Sequence, residues 1–255
     1  MEKGSRKIQM KHMIDVKTQF DPKLREILRN KKQVAVIPVG SIEQHGSHLP
    51  VSTDSDIVTH IAKEICQELN FLLLPTINYG VSIEHAPFFN LSINKITLQK
   101  MLVDLCFSLS ENNIKTIFII NGHHGNIGAI KNITKKIKAS KIQMRIFTFS
   151  YWHFMNREFD HAGFVETSLM LAISNNVNMK LAKKGLITDG FSKKKKKEIG
   201  KIASKSFVKA TKNGVWGDPT KATKKDGQTI FCEIIENLGK MCQTCLTGHS
   251  LKFHQ

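Results

Sequence analysis

The stretch QVAVIPVGSIEQHGSHLPVSTD, residues 33–54, joins an apolar run to a polar loop. The apolar run, Gln33 to Val39, is rich in β-branched residues and ends at Gly40, which predicts a buried strand. The polar part is broken by Gly46 and Pro50 and contains many ionisable side chains. Because open α/β sheets bind ligands beyond the carboxyl ends of their strands, we expect a functional site in this loop.

Strands and helices alternate along the rest of the chain. Short apolar runs predict further strands at 71–74, 116–120 and 142–149. Helical spacing of apolar residues predicts helices at 21–28, 55–69, 97–112, 127–139, 162–174 and 226–246. This alternation predicts an α/β fold with a mostly parallel sheet covered on both faces, in a single domain over residues 1–255. Residues 1–21 are interpreted as a polar lead-in, and 185–225 as a long, loop-rich excursion.

The formal net charge of +17 raises the question of nucleic-acid binding. The excess is mostly lysine spread along the chain, and its densest run, Lys193 to Lys197, has no interleaved aromatic residues. We interpret this run as a solvated surface loop and do not expect a nucleic-acid partner. A basic surface would, however, steer an anionic small-molecule substrate towards the protein.

Cysteine usage and hydropathy predict a cytoplasmic protein. The five cysteines have no regular spacing, so no disulfide framework is expected. Cys242 and Cys245 lie near His249, but only three candidate ligands are close in sequence and the two cysteines fall at the end of a predicted helix, so ordinary thiols are favoured over a zinc site. Residues 1–11 lack the apolar stretch of a secretory signal, and no apolar window is long enough for a membrane span.

Three separate segments carry the side chains that a metal site needs. The candidate residues are Glu43, His45, Asp54, His123, His161 and Glu166. Mixed carboxylates and imidazoles suit Zn²⁺, Mn²⁺ or Fe²⁺. In an extended segment Glu43 and His45 point the same way. Alone, Asp54 is equally interpretable as a helix N-cap and Glu166 as an acidic first-turn residue, but the three segments together favour a metal site.

Five stretches, in this order along the chain, resemble the creatininase family, the creatinine amidohydrolases. They are PVGSIEQHGSHLPVSTD at 38–54, NYGVSIEH at 78–85, IINGHHGN at 119–126, HAGFVETS at 161–168 and GVWGDPTKAT at 214–223. The resemblance implies a three-layer α/β/α sandwich, two divalent metal ions (Zn, Mn or Fe) that activate a water molecule, and a homo-oligomer, frequently a hexamer.

The resemblance also implies a role for each matching residue. Glu43 and His45 would bind different metal ions, Asp54 would bridge the two ions, and His123 would be a further ligand. His161 would be a catalytic histidine that passes a proton to the leaving nitrogen. Glu166 would supply another carboxylate of the catalytic site.

Two positions depart from creatininase itself. Gly125 stands where creatininase has a glutamate ligand, so the resemblance places Glu166 among the metal ligands. Arg157 stands where creatininase has a tryptophan that encloses creatinine, which argues against creatinine as the substrate. The candidate substrate contacts are His124, Glu84, His85, Arg157 and Trp152.

The predicted function is metal-dependent hydrolysis of a non-peptide amide, cyclic amide or formamide bond in a small molecule. A branch of the family that deformylates a pyrimidine nucleotide is the preferred specific model. Creatinine hydrolysis proper and cleavage of a cofactor-precursor peptide stay open as alternatives, as does phosphoester hydrolysis, which a two-metal centre also supports. A non-catalytic relative would be expected to lack some of the ligands.

Overall fold

The computed structural model describes residues 13–29, 33–140 and 142–248. Within them a five-stranded sheet has the order β1-β3-β2-β4-β5, and every strand pair is parallel. The strands are β1 (Ile14–Asp15), β2 (Val34–Val39), β3 (Leu72–Leu73), β4 (Thr116–Asn121) and β5 (Arg145–Ser150). The prediction of a mostly parallel sheet is therefore confirmed.

Helices cover both faces of the sheet. They are α1 (Asp21–Leu28), α2 (Thr53–Leu69), α3 (Lys95–Glu111), α4 (Ile127–Ile130), α5 (Ile133–Ala139), α6 (Phe164–Ile173), α7 (Lys193–Ala203), α8 (Phe207–Thr211) and α9 (Lys224–Thr247). Because successive strand side chains point to opposite faces, Val36 and Phe118 pack with α2, α6 and α9. Ile37 and Ile119 pack with α3, α4 and α5. These two apolar cores confirm the three-layer α/β/α architecture.

The polar lead-in contributes an edge strand that was not predicted. Ile14 pairs with Leu72 in parallel register. A two-residue strand leaves no periodic pattern in the sequence, so only tertiary pairing reveals it. Residues 1–12 of the lead-in, and His249 near the two cysteines, lie outside the described residues, while Cys242 is buried in the core beside α2.

Residues 185–225, predicted as a loop-rich excursion, contain two helices that were not predicted, α7 and α8. The prediction that the lysine run is a surface loop is wrong, since Lys193 begins α7. Ser192 caps that helix by accepting a hydrogen bond from the backbone N–H of Lys195 at 3.3 Å. Unbranched lysine side chains are good helix formers and stay exposed here, so the segment is helical without a broad apolar face.

Two other elements differ from the predictions by more than one or two terminal residues. The helix predicted over 127–139 is divided into α4 and α5 at Lys131 and Asn132. Asparagine is a poor residue for a helix interior because its side chain competes for backbone hydrogen bonds. The last strand begins at Arg145 rather than at residue 142. Among the described residues no helix combines the length and hydropathy needed to cross a bilayer.

The ends of β2 and β4 bring the predicted site segments together. Val39 and Asn121 are register partners, and Gly122 N–H donates to Val39 O at 2.8 Å. The N-terminus of α2 packs directly on the end of β2, because a Cβ on Gly40 would lie 2.5 Å from Ser55 Cα. The first turn of α2 is therefore held at the rim where β2 and β4 end.

Candidate metal centre

Glu43, Asp54 and His123 form one group of metal-ligand atoms. Their ligand atoms lie within 4.8 Å of one another. His123 Nδ1 is 3.2 Å from Glu43 Oε2 and 3.0 Å from Asp54 Oδ2. Glu43 follows β2, His123 follows β4, and Asp54 lies in the first turn of α2. Three segments that are distant in sequence thus meet at one rim of the sheet.

A second group lies on the other side of the same aspartate. His45 Nε2 is 3.2 Å from Asp54 Oδ1 and 3.4 Å from Glu166 Oε2. His161 completes a ligand-type cluster with His45 and Glu166. The two carboxylate oxygens of Asp54 therefore face different histidines. The five predicted metal ligands are all brought together.

The hydrogen bonds of the two histidines show how well the site fits a metal. His45 Nδ1–H donates to Glu43 O at 3.1 Å, and His123 Nε2–H donates to Val81 O at 2.8 Å. A backbone carbonyl can only accept, so each ring directs its other nitrogen towards the carboxylates. Metal-binding histidines in proteins are oriented by this kind of hydrogen bond.

Burial gives a second test of the fit. The side chains of Glu43, His45 and Glu166 have no exposed surface, and Asp54 is 2% exposed. Both carboxylate oxygens of Glu43, and one each of Asp54 and Glu166, have no hydrogen-bond partner among the described residues. Buried charges without partners are costly unless they coordinate a cation. The donor set therefore fits divalent metal ions.

The electrostatics of the metal-free site point the same way. Burial raises the pKa of Glu43 and of Glu166 to about 8. Burial opposes protonation of His45 and His123, but nearby carboxylates raise the pKa of each to about 10. The pKa of Asp54 is lowered, since the two imidazoles outweigh the effect of its burial. In the metal-free site, protons on these side chains thus neutralise the negative charge that bound cations would otherwise neutralise.

Gln44 connects the site to the surrounding loops. Gly46 N–H donates to Gln44 Oε1 at 3.0 Å, which fixes the orientation of the side-chain amide. Gln44 Nε2 then donates to His85 Nδ1 at 2.9 Å and to Gly214 O at 3.3 Å. The proton of His85 is therefore on Nε2, which lies 3.1 Å from Glu43 Oε1. His85, predicted to contact substrate, thus lies directly against the predicted metal ligand Glu43.

His161 lies against the site in a defined tautomer. Its Nε2–H donates to the backbone oxygen of Gln44 at 3.1 Å, which leaves Nδ1 free to accept, 3.9 Å from Glu43 Oε1. Its ring packs at 4.2 Å from the His45 ring and 4.6 Å from the Phe207 ring. Burial and neighbouring histidines hold the pKa of His161 well below its usual value. His161 is therefore neutral, with Nδ1 as a hydrogen-bond acceptor.

Asp160 holds the turn that carries His161 and Glu166. Its carboxylate accepts from Val165 N–H at 2.9 Å and from Glu166 N–H at 3.4 Å, at the start of α6. Ala162 adopts the left-handed region at φ 52°, and its N–H donates to Glu166 Oε2 at 2.7 Å. The carboxylate of Glu166 is thereby oriented towards His45.

The other predicted substrate contacts lie around this centre at different depths. His124 faces Trp152, with ring centroids 6.2 Å apart, at the ends of β4 and β5. Glu84 is half-buried, and its Oε1 lies 3.0 Å from where a Cβ on Gly125 would be. Arg157 is exposed, with its guanidinium 5.5 Å from the Phe164 ring. A substrate-binding role for these four residues stays a prediction.

Three residues of the site were not predicted from the sequence. Gln44 lies between two predicted ligands, and a strict alternation pattern assigns it to the opposite face. Asp160 directly precedes the predicted catalytic histidine. An aspartate shortly before a helix is a recognisable sequence signal for an N-terminal cap. Phe207 packs on two site histidines from within the excursion, where no motif marked it.

Comparison with known proteins agrees with this geometry. The family model described as creatininase, creatinine amidohydrolase, matches residues 20–242. A mycofactocin precursor peptide peptidase from Mycobacterium ulcerans is 30% identical over 216 residues, 79% of this chain and 81% of that protein. A 2-amino-5-formylamino-6-ribosylaminopyrimidin-4(3H)-one 5'-monophosphate deformylase from Methanocaldococcus infernus is 28% identical, over 71% of this chain and 82% of that protein.

The fold is also found among solved structures. A zinc–zinc form of a creatininase variant superposes with a TM-score of 0.76 at 19% identity, covering 91% of this chain and 98% of the other. The family match spans most of the sequence, and the peptidase aligns over about four-fifths of both chains. The chain therefore belongs to the creatininase family.

Proposed function

We propose that this protein hydrolyses an amide, cyclic amide or formamide bond of a small molecule with the help of two divalent metal ions. The chain is an enzyme of a hydrolase family that cleaves carbon–nitrogen bonds. The observation that carries the proposal is Asp54, whose two carboxylate oxygens face different histidines in one buried site.

The residues present fit two neighbouring ions. Glu43 and His123 would hold one ion, His45 and Glu166 the other, and Asp54 would contact both. Divalent ions bound there would polarise the substrate carbonyl and lower the pKa of a bound water from 15.7 towards about 7. The relationship to a creatininase solved in a zinc–zinc form supports zinc as the first ion to test.

The protein itself supplies proton transfer through His161. Its neutral ring presents Nδ1 to the site, while the Gln44 carbonyl holds Nε2–H. Nδ1 would accept a proton from the attacking water and pass it to the leaving nitrogen, a type of contribution typically worth about 10²–10⁴-fold in rate. His85 would keep the Glu43 carboxylate aligned throughout.

A direct test is a screen of the metal-reconstituted protein. Zinc-, manganese- and iron-loaded samples would be assayed with creatinine, formylaminopyrimidine nucleotides and short peptides. We expect turnover of at least one class, lost on chelation and absent from Glu43→Gln. Full turnover and full metal content in Glu43→Gln would contradict the proposal.

Cleavage of a precursor peptide is the second candidate function. The relative from Mycobacterium ulcerans, a precursor peptide peptidase, matches a larger share of this chain at higher identity than the deformylase does. Release of a new amino terminus from a peptide, with no release of formate from the nucleotide, would favour this candidate.

Three finer proposals concern the protein in the cell and its substrate. Basic surface charge is consistent with a small anionic substrate. We further propose a homo-oligomer, a hexamer by family resemblance, and a cytoplasmic location. Light scattering after gel filtration tests the oligomeric state, and cell fractionation tests the cytoplasmic location.

A further inference from the structure

The metal-ligand atoms are closed off from solvent in this conformation. Glu43 and Glu166 have no exposed side-chain surface, and the catalytic candidate His161 is 12% exposed, the most of this group. A substrate carbonyl therefore reaches the centre only when some covering element moves away. The candidate for this covering element is the one that packs on His161.

Phe207 is that covering residue. Its ring stacks on His85 with centroids 4.6 Å apart and meets His161 edge-on, also at 4.6 Å. Phe207 is 9% exposed, although it belongs to the five-residue helix α8. One aromatic side chain thus lies over the residue that positions Glu43 and over the residue that moves protons.

The segment that carries Phe207 buries few side chains. We call residues 191–213, which contain α7 and α8, the cap. All of the cap is described, and within it only Ala203 at the end of α7, and Phe207 and Thr211 of α8, are buried. The other bonds from the cap to its surroundings include the Asn213 amide, which donates to Lys184 O at 3.2 Å, and an exposed ion pair between Lys196 and Glu158, which contributes little stability.

Glycines with left-handed backbone flank the cap on both sides. Gly190 has φ +77° and open space around it, in a turn closed by the Phe191 N–H, which donates to Thr188 O at 3.1 Å. Gly214 has φ +76° and lies so close to Gln44 that a Cβ would collide with the amide. One end of the cap is therefore packed against the site, while the other end is a turn surrounded by open space, where a change of backbone angle meets no steric obstacle.

We infer that Phe207 is the gate of the metal centre. Metal ions and substrate pass only when its ring leaves His85 and His161 together with the cap, so Phe207 also limits what reaches the centre. This inference rests on the proposed metal-dependent function. A ring that closes the site in this way also excludes bulk water from the reaction.

Metal release provides a test that needs no substrate. Wild type, Phe207→Ala and Phe207→Leu would be loaded with Zn²⁺, and transfer of the ion to an excess of a coloured chelator would be followed over time. Phe231→Ala is the matched control, since this aromatic ring is also buried but packs on His60 in the α2–α9 core. Metal content at saturation and thermal unfolding would be measured for each protein.

If Phe207 is the gate, its variants should bind as much metal at saturation as wild type but release it at different rates. Phe207→Ala should release Zn²⁺ about tenfold faster or more, because the apolar contact that keeps the cap closed is lost, and Phe207→Leu should be intermediate. Equal release from Phe207→Ala and wild type, or equal acceleration in Phe231→Ala, would overturn the gate. A wild-type protein that binds no divalent ion would instead overturn the proposed function, and the gate with it.

Discussion

Replacing Glu43 by glutamine should make the metal-free protein more stable at alkaline pH, although the change removes a metal ligand. Glu43 is fully buried, and burial raises its pKa to about 8 from an ordinary value of 4.5. A group with a raised folded-state pKa stabilises the fold fully below its unfolded pKa, and this stabilisation is lost as pH rises through the folded pKa. Glutamine has no such dependence.

The size of the effect follows from the titration window. Between about pH 6.5 and pH 8, the unfolded Glu43 carboxyl is ionised while the folded one keeps its proton. Each pH unit then costs the wild-type protein about 1.4 kcal/mol, or about 2 kcal/mol across the window. Glu166, His45 and His123 titrate in the same direction and stay in both proteins. Because Glu43 also raises the pKa of His123, the variant loses the Glu43 contribution together with part of the His123 contribution.

Urea unfolding of the metal-stripped proteins at these two pH values measures the difference. The free energy of unfolding should fall less steeply with pH in Glu43→Gln than in wild type, by about 2 kcal/mol over the window. Glu111→Gln, an exposed position at the end of α3, is the control and should behave like wild type. Zinc at about 100 times its Kd should stabilise wild type by roughly 2.7 kcal/mol and the variant far less.

Either of two results would refute this reasoning. One is a pH dependence in Glu43→Gln as steep as that of wild type, which would show that the buried carboxyl does not hold its proton in the folded state. The other is full stabilisation of the variant by zinc, which would show that Glu43 is not a ligand.

Three further substitutions test metal binding, catalysis and loop packing separately. Asp54→Asn should lose most bound metal by elemental analysis, whereas Asp56→Asn, two residues further along α2, should keep it. His161→Gln should keep its metal while kcat falls by about 10²–10⁴-fold, and loss of metal instead would make His161 a ligand. Gly125→Ala should lower the free energy of unfolding by about 1–3 kcal/mol, because the new Cβ would lie 2.0 Å from Val81 O. Unchanged stability would show that the loop relaxes without cost.

The sheet and the ligand set were predictable because their signals are local. The run from Gln33 to Val39 is apolar throughout because both faces of its strand are covered, and the polar residues begin where the strand ends. Glu43 and His45 were identified by residue type and spacing. Their convergence with Asp54 followed from the general placement of ligands at strand ends.

The connections between these residues were not predictable in the same way. Gln44 contacts His85 and Gly214, which are 41 and 170 residues away, and a side-chain amide carries no sign of such partners. The helices of the excursion were missed because α7 begins with a run of five lysines and α8 has only five residues, which is too short for a helical period to show in the sequence. Phe207 is recognisable only once its ring is seen on His85 and His161.

The most direct test of the central claim is anomalous X-ray scattering from crystals of the zinc-loaded protein. We expect two anomalous peaks per chain, one beside Glu43 and His123 and one beside His45 and Glu166, with the Asp54 carboxylate between them. A single peak, or peaks that lie away from Asp54, would contradict the two-ion site.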